Sequence, residues 1–185
     1  MTKVDLSQYD NSWYKPTIKA GILKRSIWYI FNVLFFVNPL NSFSGFKCWL
    51  LQLFGAKIGG HVVVKPGVNI KYPWKLKIGD HVWIGEKVWI DNLTEIVIGN
   101  NVCISQGAML LTGNHNYKKK TFDLMVAGIT LEDGVWIGAQ SIVCPGITAF
   151  SHSVLSVGSV ATKNMEAFTV YSGNPALPAK QRTIE

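Results

Sequence analysis

Cysteine is scarce in this chain of 185 residues. Its three copies, Cys48, Cys103 and Cys144, are odd in number and far apart, which excludes a disulfide framework and any CxxC metal or redox motif. A reducing cytoplasm is the expected compartment. Acidic residues are also few, 11 against 18 lysines and arginines, and the imbalance is uneven. Residues 1–57 carry seven basic and two acidic side chains, 58–128 eight and five, 129–185 three and four. Such a surplus attracts phosphorylated ligands, anionic headgroups or nucleic acid, and is equally an ordinary solubilising charge. With no recognition motif beside it, a nucleic-acid role is set aside. The ordered basic, apolar and small-residue regions of a secretory signal are missing: Met1 to Pro16 carries Asp5 and Asp10 among polar residues. No uninterrupted apolar run reaches the roughly 20 residues of a spanning helix.

The most apolar stretch, Ile22 to Val37, contains Lys24, Arg25 and Asn32. It reads as an amphipathic helix packed on the body of the protein or on a neighbouring subunit, with peripheral membrane association through its basic and aromatic residues left open. A second short helix is expected over Phe46 to Phe54, stopped by Gly55.

What the chain has in abundance is a repeat. Three segments align at intervals of 20, from Ile58, Ile78 and Ile98. Inside them an aliphatic residue recurs every six: Ile58, Val64, Ile70, Leu76; Ile78, Ile84, Ile90, Ile96; Ile98, Ile104, Leu110. The series resumes at Leu131, Ile137, Val143, Ala149, Leu155 and Ala161. A period of six is neither helical nor that of a long strand. Short strands separated by turns satisfy it, three hexapeptides closing one triangular coil whose aliphatic residues point inward. No coil buries its apolar face alone, so coils stabilise each other by stacking. The spacing puts His61 and His81 on one face of adjacent coils. Ala149-Phe150-Ser151-His152 departs from the pattern, which predicts a locally wider coil. The period itself does not decide handedness.

Several runs carry a resemblance. Trp136-Ile137-Gly138-Ala139, Cys144-Pro145-Gly146-Ile147, Gly158-Ser159-Val160, Thr162-Lys163 and Gly173-Asn174-Pro175-Ala176 resemble the hexapeptide-repeat acyltransferases. LLQLFGAKIG (Leu50 to Gly59), YPWKLKIGD (Tyr72 to Asp80) and LLTGNHNY (Leu110 to Tyr117) are similar to the colanic-acid type of exopolysaccharide O-acetyltransferase. The resemblance implies an all-β fold, a left-handed parallel β-helix, working as a homotrimer with acetyl-CoA as co-substrate. The expected organisation is a helical or extended segment over 1–54, the β-helix over 55–178, and a tail over 179–185.

The repeat is interrupted once, between Leu110 and Leu131, and a solenoid accommodates an insertion only by projecting it; a loop over about 113–128 is expected. His115 lies at its root. Taken alone it is a structural or exposed histidine or a base; the resemblance makes it the general base, since neutral imidazole accepts a hydroxyl proton as the oxygen attacks a thioester. Asp91 and Asn92, about one coil earlier, are candidate acceptor or imidazole partners, or simply a polar corner. Asn114 either orients an acceptor hydroxyl or caps the loop. Lys118 to Lys120 are a solvated run or a contact for an anionic acceptor or CoA phosphate. For the donor, the resemblance implies pantetheine contacts at Trp136, Gly138, Ala139, Gly158 and Ser159, with Lys163 toward the phosphates. The basic residue expected soon after Asn174-Pro175-Ala176 is displaced, which leaves Lys180 and Arg182 as its candidates. No metal is expected, because His115 lacks a close histidine partner.

The expected activity is O-acetylation of a sugar hydroxyl in an exopolysaccharide or other cell-surface glycan precursor, in the cytoplasm or at the inner face of the membrane. Two alternatives stay open: N-acetylation of an amino sugar, and a non-catalytic β-helix serving as a scaffold or binding trimer.

Overall fold

Three parallel walls of short strands wind around a single core in a computed structural model that describes residues 3–185, so Met1 and Thr2 of the expected 1–54 segment lie outside the described residues. The first wall stacks Lys57–Ile58, Leu76–Ile78, Ile96–Ile98, Ile129–Leu131 and Thr148–Ala149. The second begins with Val63–Val64, Trp83–Ile84, Cys103–Ile104, Trp136–Ile137 and Val154–Leu155, and the third runs from Asn69–Ile70 to Val160–Ala161. The fold is a left-handed parallel β-helix of about 6 turns. Of the aliphatic positions picked out by the period of six, all but the half-buried Ile58 of the first coil are buried. At about 25 cal/mol per Å², each Ile or Val contributes roughly 1.5–3 kcal/mol before entropy is subtracted.

Register shows how the sequence spacing becomes a prism. Ile58 pairs with Ile78 and Ile78 with Ile98, 20 residues apart; Ile98 then pairs with Leu131, and Leu131 with Ala149, a pure three-hexapeptide step. His61 and His81 stack at one corner, ring centroids 4.7 Å apart and 7° from parallel. The wider coil expected at Ala149-Phe150-Ser151-His152 does not occur. Thr148–Ala149 keeps register with the strand below, and the His152 ring continues the corner by stacking on Phe168 at 4.8 Å.

An open prism would leave the first coil's edge unpaired, and exposed strand edges invite association. Here the N-terminal helices supply the missing partners. Helix α1 (Ile22–Phe31) widens into a π-helical stretch over Asn32–Val37, and helix α2 (Ser44–Leu53) follows. Trp28 Nε1 donates to the Ile70 carbonyl at 2.8 Å, and Asn32 Oδ1 accepts from the Ile70 N–H at 3.3 Å. Ser44 Oγ accepts from Val64 N–H at 3.1 Å, while the fully buried Lys47 ammonium donates to the carbonyls of Val64 and Lys65. Burial pushes the Lys47 pKa down, and these carbonyls are the compensation.

At the other end a strand crosses the expected boundary between β-helix and tail. Thr169–Gly173 and Ala176–Gln181 form an antiparallel pair on the second wall, so the last strand continues past residue 178 into residues 179–181. Among the described residues no single helix is long and apolar enough to cross a membrane; Ser12–Ile18 and Ile22–Val37 pass that test only together, bent by 69°.

Candidate active site

The interruption of the repeat is a hairpin. Gly113–His115 pairs antiparallel with Leu124–Val126, placing His115 opposite Leu124. Its root is clamped by buried Thr112, whose hydroxyl donates to the Asp91 carbonyl at 2.8 Å and accepts from the Thr94 N–H at 3.2 Å. At the return point the backbones nearly touch: a Cβ on Gly128 would sit 2.9 Å from the Glu95 carbonyl oxygen, so only glycine closes the insertion this tightly.

This hairpin holds the His115 ring from two sides. Its Nδ1 lies 2.9 Å from the Phe122 carbonyl oxygen, and the ring stacks on Phe122 at 4.5 Å and 7°. A carbonyl only accepts, so Nδ1 carries a proton, and in the neutral ring Nε2 keeps its lone pair. That is the tautomer a general base requires. Phe122 adopts φ of +50°, which turns its carbonyl back toward the ring. Asn114 Oδ1 accepts from the His115 N–H at 2.8 Å, and Tyr9 of the N-terminal segment approaches the imidazole at 5.8 Å. Lys119 pairs with Asp123 at 2.8 Å and Lys120 lies 3.8 Å from Asp5, so two of the three loop lysines are engaged within the chain. Hydrogen bonds from Lys119 and Thr121 hold the Asp123 carboxyl below its usual range.

A cavity of about 480 Å³ opens beside His115, lined among others by Asn114, Asp91, Tyr72, Tyr14 and Arg25. Asp91 lies on its wall, paired with Lys71 at 2.9 Å. Asn92 does not line it. It is fully buried, accepting from the Tyr72 N–H at 2.9 Å and donating to the Tyr72 carbonyl at 2.6 Å, the work of a coil corner. Tyr14 donates to the Leu93 carbonyl at 2.6 Å and docks the N-terminal segment on that corner; burial pushes its phenol well above the usual range. Tyr9, Tyr14, Lys15, Arg25 and Lys71 were not singled out as site residues from the sequence. Four of them precede the repeat, and nothing periodic places them.

A second cavity, a groove of about 790 Å³, runs along the second wall. Trp136, Gly138, Ala139 and Lys180 line it together with Ser105 and Val157. Gly138 lets successive coils meet there: a Cβ would come within 2.6 Å of the Leu155 carbonyl oxygen and 2.7 Å of the Val157 nitrogen. Gly158, Ser159 and Lys163 lie outside its lining. The Gly158 N–H donates to the Ala139 carbonyl, Ser159 is buried with its hydroxyl accepting from the Gly173 N–H at 3.0 Å, and Lys163 is exposed. Arg182 reaches the groove but gives its Nη1 to the carbonyls of Gly134 and His152, at 2.8 and 3.1 Å. The groove and the His115 cavity share no lining residue. Among the described residues no group of three His, Cys, Asp or Glu side chains could hold a metal ion.

No protein-family model matches the chain. Individual proteins do. The colanic acid biosynthesis acetyltransferase WcaF of Escherichia coli is 35% identical over 163 residues, 88% of this chain and 90% of that one. The galactoside O-acetyltransferase of the same organism is 30% identical over 129 residues, 68% of this chain and 64% of its own. In structure, the hexapeptide-repeat acetyltransferase VCA0836 of Vibrio cholerae superposes with a TM-score of 0.79 at 21% identity, covering 97% of this chain and 98% of that one; it has also been solved with acetyl coenzyme A bound. The inward period of six, the β-helical fold it builds, and 35% identity to WcaF across nearly the whole length establish that this chain belongs to the hexapeptide-repeat acetyltransferases.

Proposed function

We propose that the protein moves the acetyl group of acetyl-CoA to a sugar hydroxyl in an exopolysaccharide or other cell-surface glycan precursor. The observation that carries the reading is the bond between His115 Nδ1 and the Phe122 carbonyl, which leaves Nε2 as acceptor beside an open cavity. The acceptor oxygen attacks the thioester carbonyl while Nε2 takes its proton. The tetrahedral intermediate collapses, the C–S bond breaks, and the imidazolium returns the proton to the departing thiolate. No acyl-enzyme is needed. The names of WcaF and the galactoside enzyme support a sugar as acceptor.

The second-wall groove is the donor site in this reading. Trp136, Gly138 and Ala139 lie along the pantetheine arm, Gly158 and Ser159 support the adjoining coil, and Lys180 and Lys163 approach the phosphates. Because groove and base share no residue within one chain, a homotrimer in which one copy's groove meets the next copy's His115 completes the site. The segment before the coil bears exposed Ile22, Leu23, Tyr29 and Ile30 beside the exposed Lys24, which supports peripheral contact with the inner face of the membrane.

A hydroxyl is favoured over an amine by the cavity's charge. Its one carboxylate, Asp91, is already paired with Lys71, so no free anion greets an ammonium. The test is thiol release from acetyl-CoA with neutral sugars against matching amino sugars. Turnover with neutral sugars is expected, and turnover restricted to amino sugars overturns the hydroxyl acceptor.

A further inference from the structure

Arg25 is the cation that the proposed reaction leaves unused. It projects from α1, and its Nε is buried with no hydrogen-bond partner. Among the described residues its guanidinium makes no hydrogen bond or ion pair, although buried polar groups are almost always satisfied and an orphan calls for an explanation. Arg25 and Tyr72 both line the His115 cavity and also a neighbouring recess formed with Ile22, Tyr29 and Ile30. Lys15 lines the His115 cavity as well, with no carboxylate within ion-pair distance among the described residues. Three cations, Lys15, Arg25 and Lys71, thus face one carboxylate that Lys71 already occupies.

A guanidinium is suited to forked recognition of phosphate oxygens, and a half-buried one gains more from such a partner than an exposed lysine does. We propose that Arg25, assisted by Lys15, holds a phosphate group of the acceptor, so that the sugar reaching His115 is a glycosyl phosphate or diphosphate rather than a free sugar. This rests on the acceptor role given above to the His115 cavity. The phosphate satisfies the orphaned Nε and fixes the sugar's distance from the base. The carrier beyond the phosphate, polyprenyl or nucleoside, leaves along the recess of Ile22, Tyr29 and Ile30, whose side chains are exposed and largely apolar.

The test compares three acceptors of each sugar in a panel of glucose, galactose and fucose: the methyl glycoside, the nucleoside diphosphate sugar, and a short polyprenyl diphosphate sugar in detergent micelles. A charge-assisted contact of this kind corresponds to about 10- to 100-fold. A phosphate-bearing acceptor is therefore expected to show a KM lower than the methyl glycoside by about that factor, and the better of the two identifies the carrier. Arg25→Gln should shrink the preference to less than about threefold, with the KM for acetyl-CoA moving less than about twofold. Equal KM values for neutral and phosphorylated acceptors overturn the proposal. So does an Arg25→Gln effect confined to acetyl-CoA, which moves the arginine to the donor. Independently of turnover, calorimetry with inorganic pyrophosphate at saturating CoA should show binding to the wild type that Arg25→Gln loses, and absence of binding sinks the subsite. Failure of the acetyl-transfer reading looks different, since no acceptor then releases thiol whatever pyrophosphate does.

Discussion

The groove proposed for the donor and the cavity proposed for the acceptor are made by opposite means. The groove is a product of the repeat: Trp136, Val154 and Val170 come from successive strands of one wall, and its floor is backbone that Gly138 allows to lie close. The cavity is assembled largely from pieces the repeat does not contain, Tyr9, Tyr14 and Lys15 before α1, Arg25 on α1, and Asn114 and His115 on the hairpin, around the corners of two successive coils, Lys71 and Tyr72 and then Asp91 and Leu93. A donor common to many reactions is suited to a wall that the fold forms anyway, whereas the acceptor side is free to vary where insertions and terminal segments meet the coil.

The comparison breaks most sharply at His115. His115→Ala is expected to lower kcat by about 10²–10⁴, the usual worth of a general base, with the acetyl-CoA KM and the melting temperature close to wild type. Unchanged turnover in a folded variant would take His115 out of the chemistry and leave the cavity without its base. Gly138→Ala strikes the other region. Its Cβ meets main chain at 2.6 Å, so the coils must separate locally, at a cost of about 1–3 kcal/mol. Thermal unfolding should start lower and the KM for acetyl-CoA should rise, while selectivity among acceptors stays as it was. A shift in acceptor selectivity would mean that the two regions are not independent.

Asn92→Ala sharpens the line between cavity and corner. It strips the Tyr72 N–H and carbonyl of their side-chain partners, which costs about 1–3 kcal/mol where such groups are buried. Denaturant unfolding should register the loss, and the acceptor KM should change little. A large KM effect with unaltered stability would return Asn92 to substrate binding.

How far each region was legible follows from the same division. Ile84, Ile104 and Ile137 declare their burial by spacing alone, because a residue every six has no other economical structure to form. His115 stands out because it sits where the count stops, yet its tautomer depends on a carbonyl seven residues away that only the hairpin brings near. Asp91 and Asn92 are adjacent and both polar, and strand alternation sends one to the cavity wall and the other into the coil. The cavity's remaining lining was hidden for a different reason. Arg25 and Tyr14 reach it through contacts 40 or more positions away in sequence, Trp28 with Ile70 and Tyr14 with Leu93, which no local pattern encodes.

The smallest expected effect belongs to Lys75, where the N-terminal segment meets the coil. Its ammonium donates to the Leu93 carbonyl and lies 5.2 Å from the Tyr14 ring. Burial, with a smaller push from Lys19, lowers its pKa to about 8, while in the unfolded chain it titrates near ~10.4. Between those values the unfolded state binds more protons than the folded one, so this group's contribution makes the protein more stable as pH rises through the window; below about 8 the burial penalty is fully present. Tyr14 acts in the opposite sense, since its raised pKa costs stability once the unfolded phenol ionises near ~10. The comparison is therefore made between wild type and Lys75→Met, at pH 7.5 and pH 9.5, by chemical denaturation. The wild type should gain on the variant at the higher pH; a difference independent of pH would show that the segment docks without confining this charge.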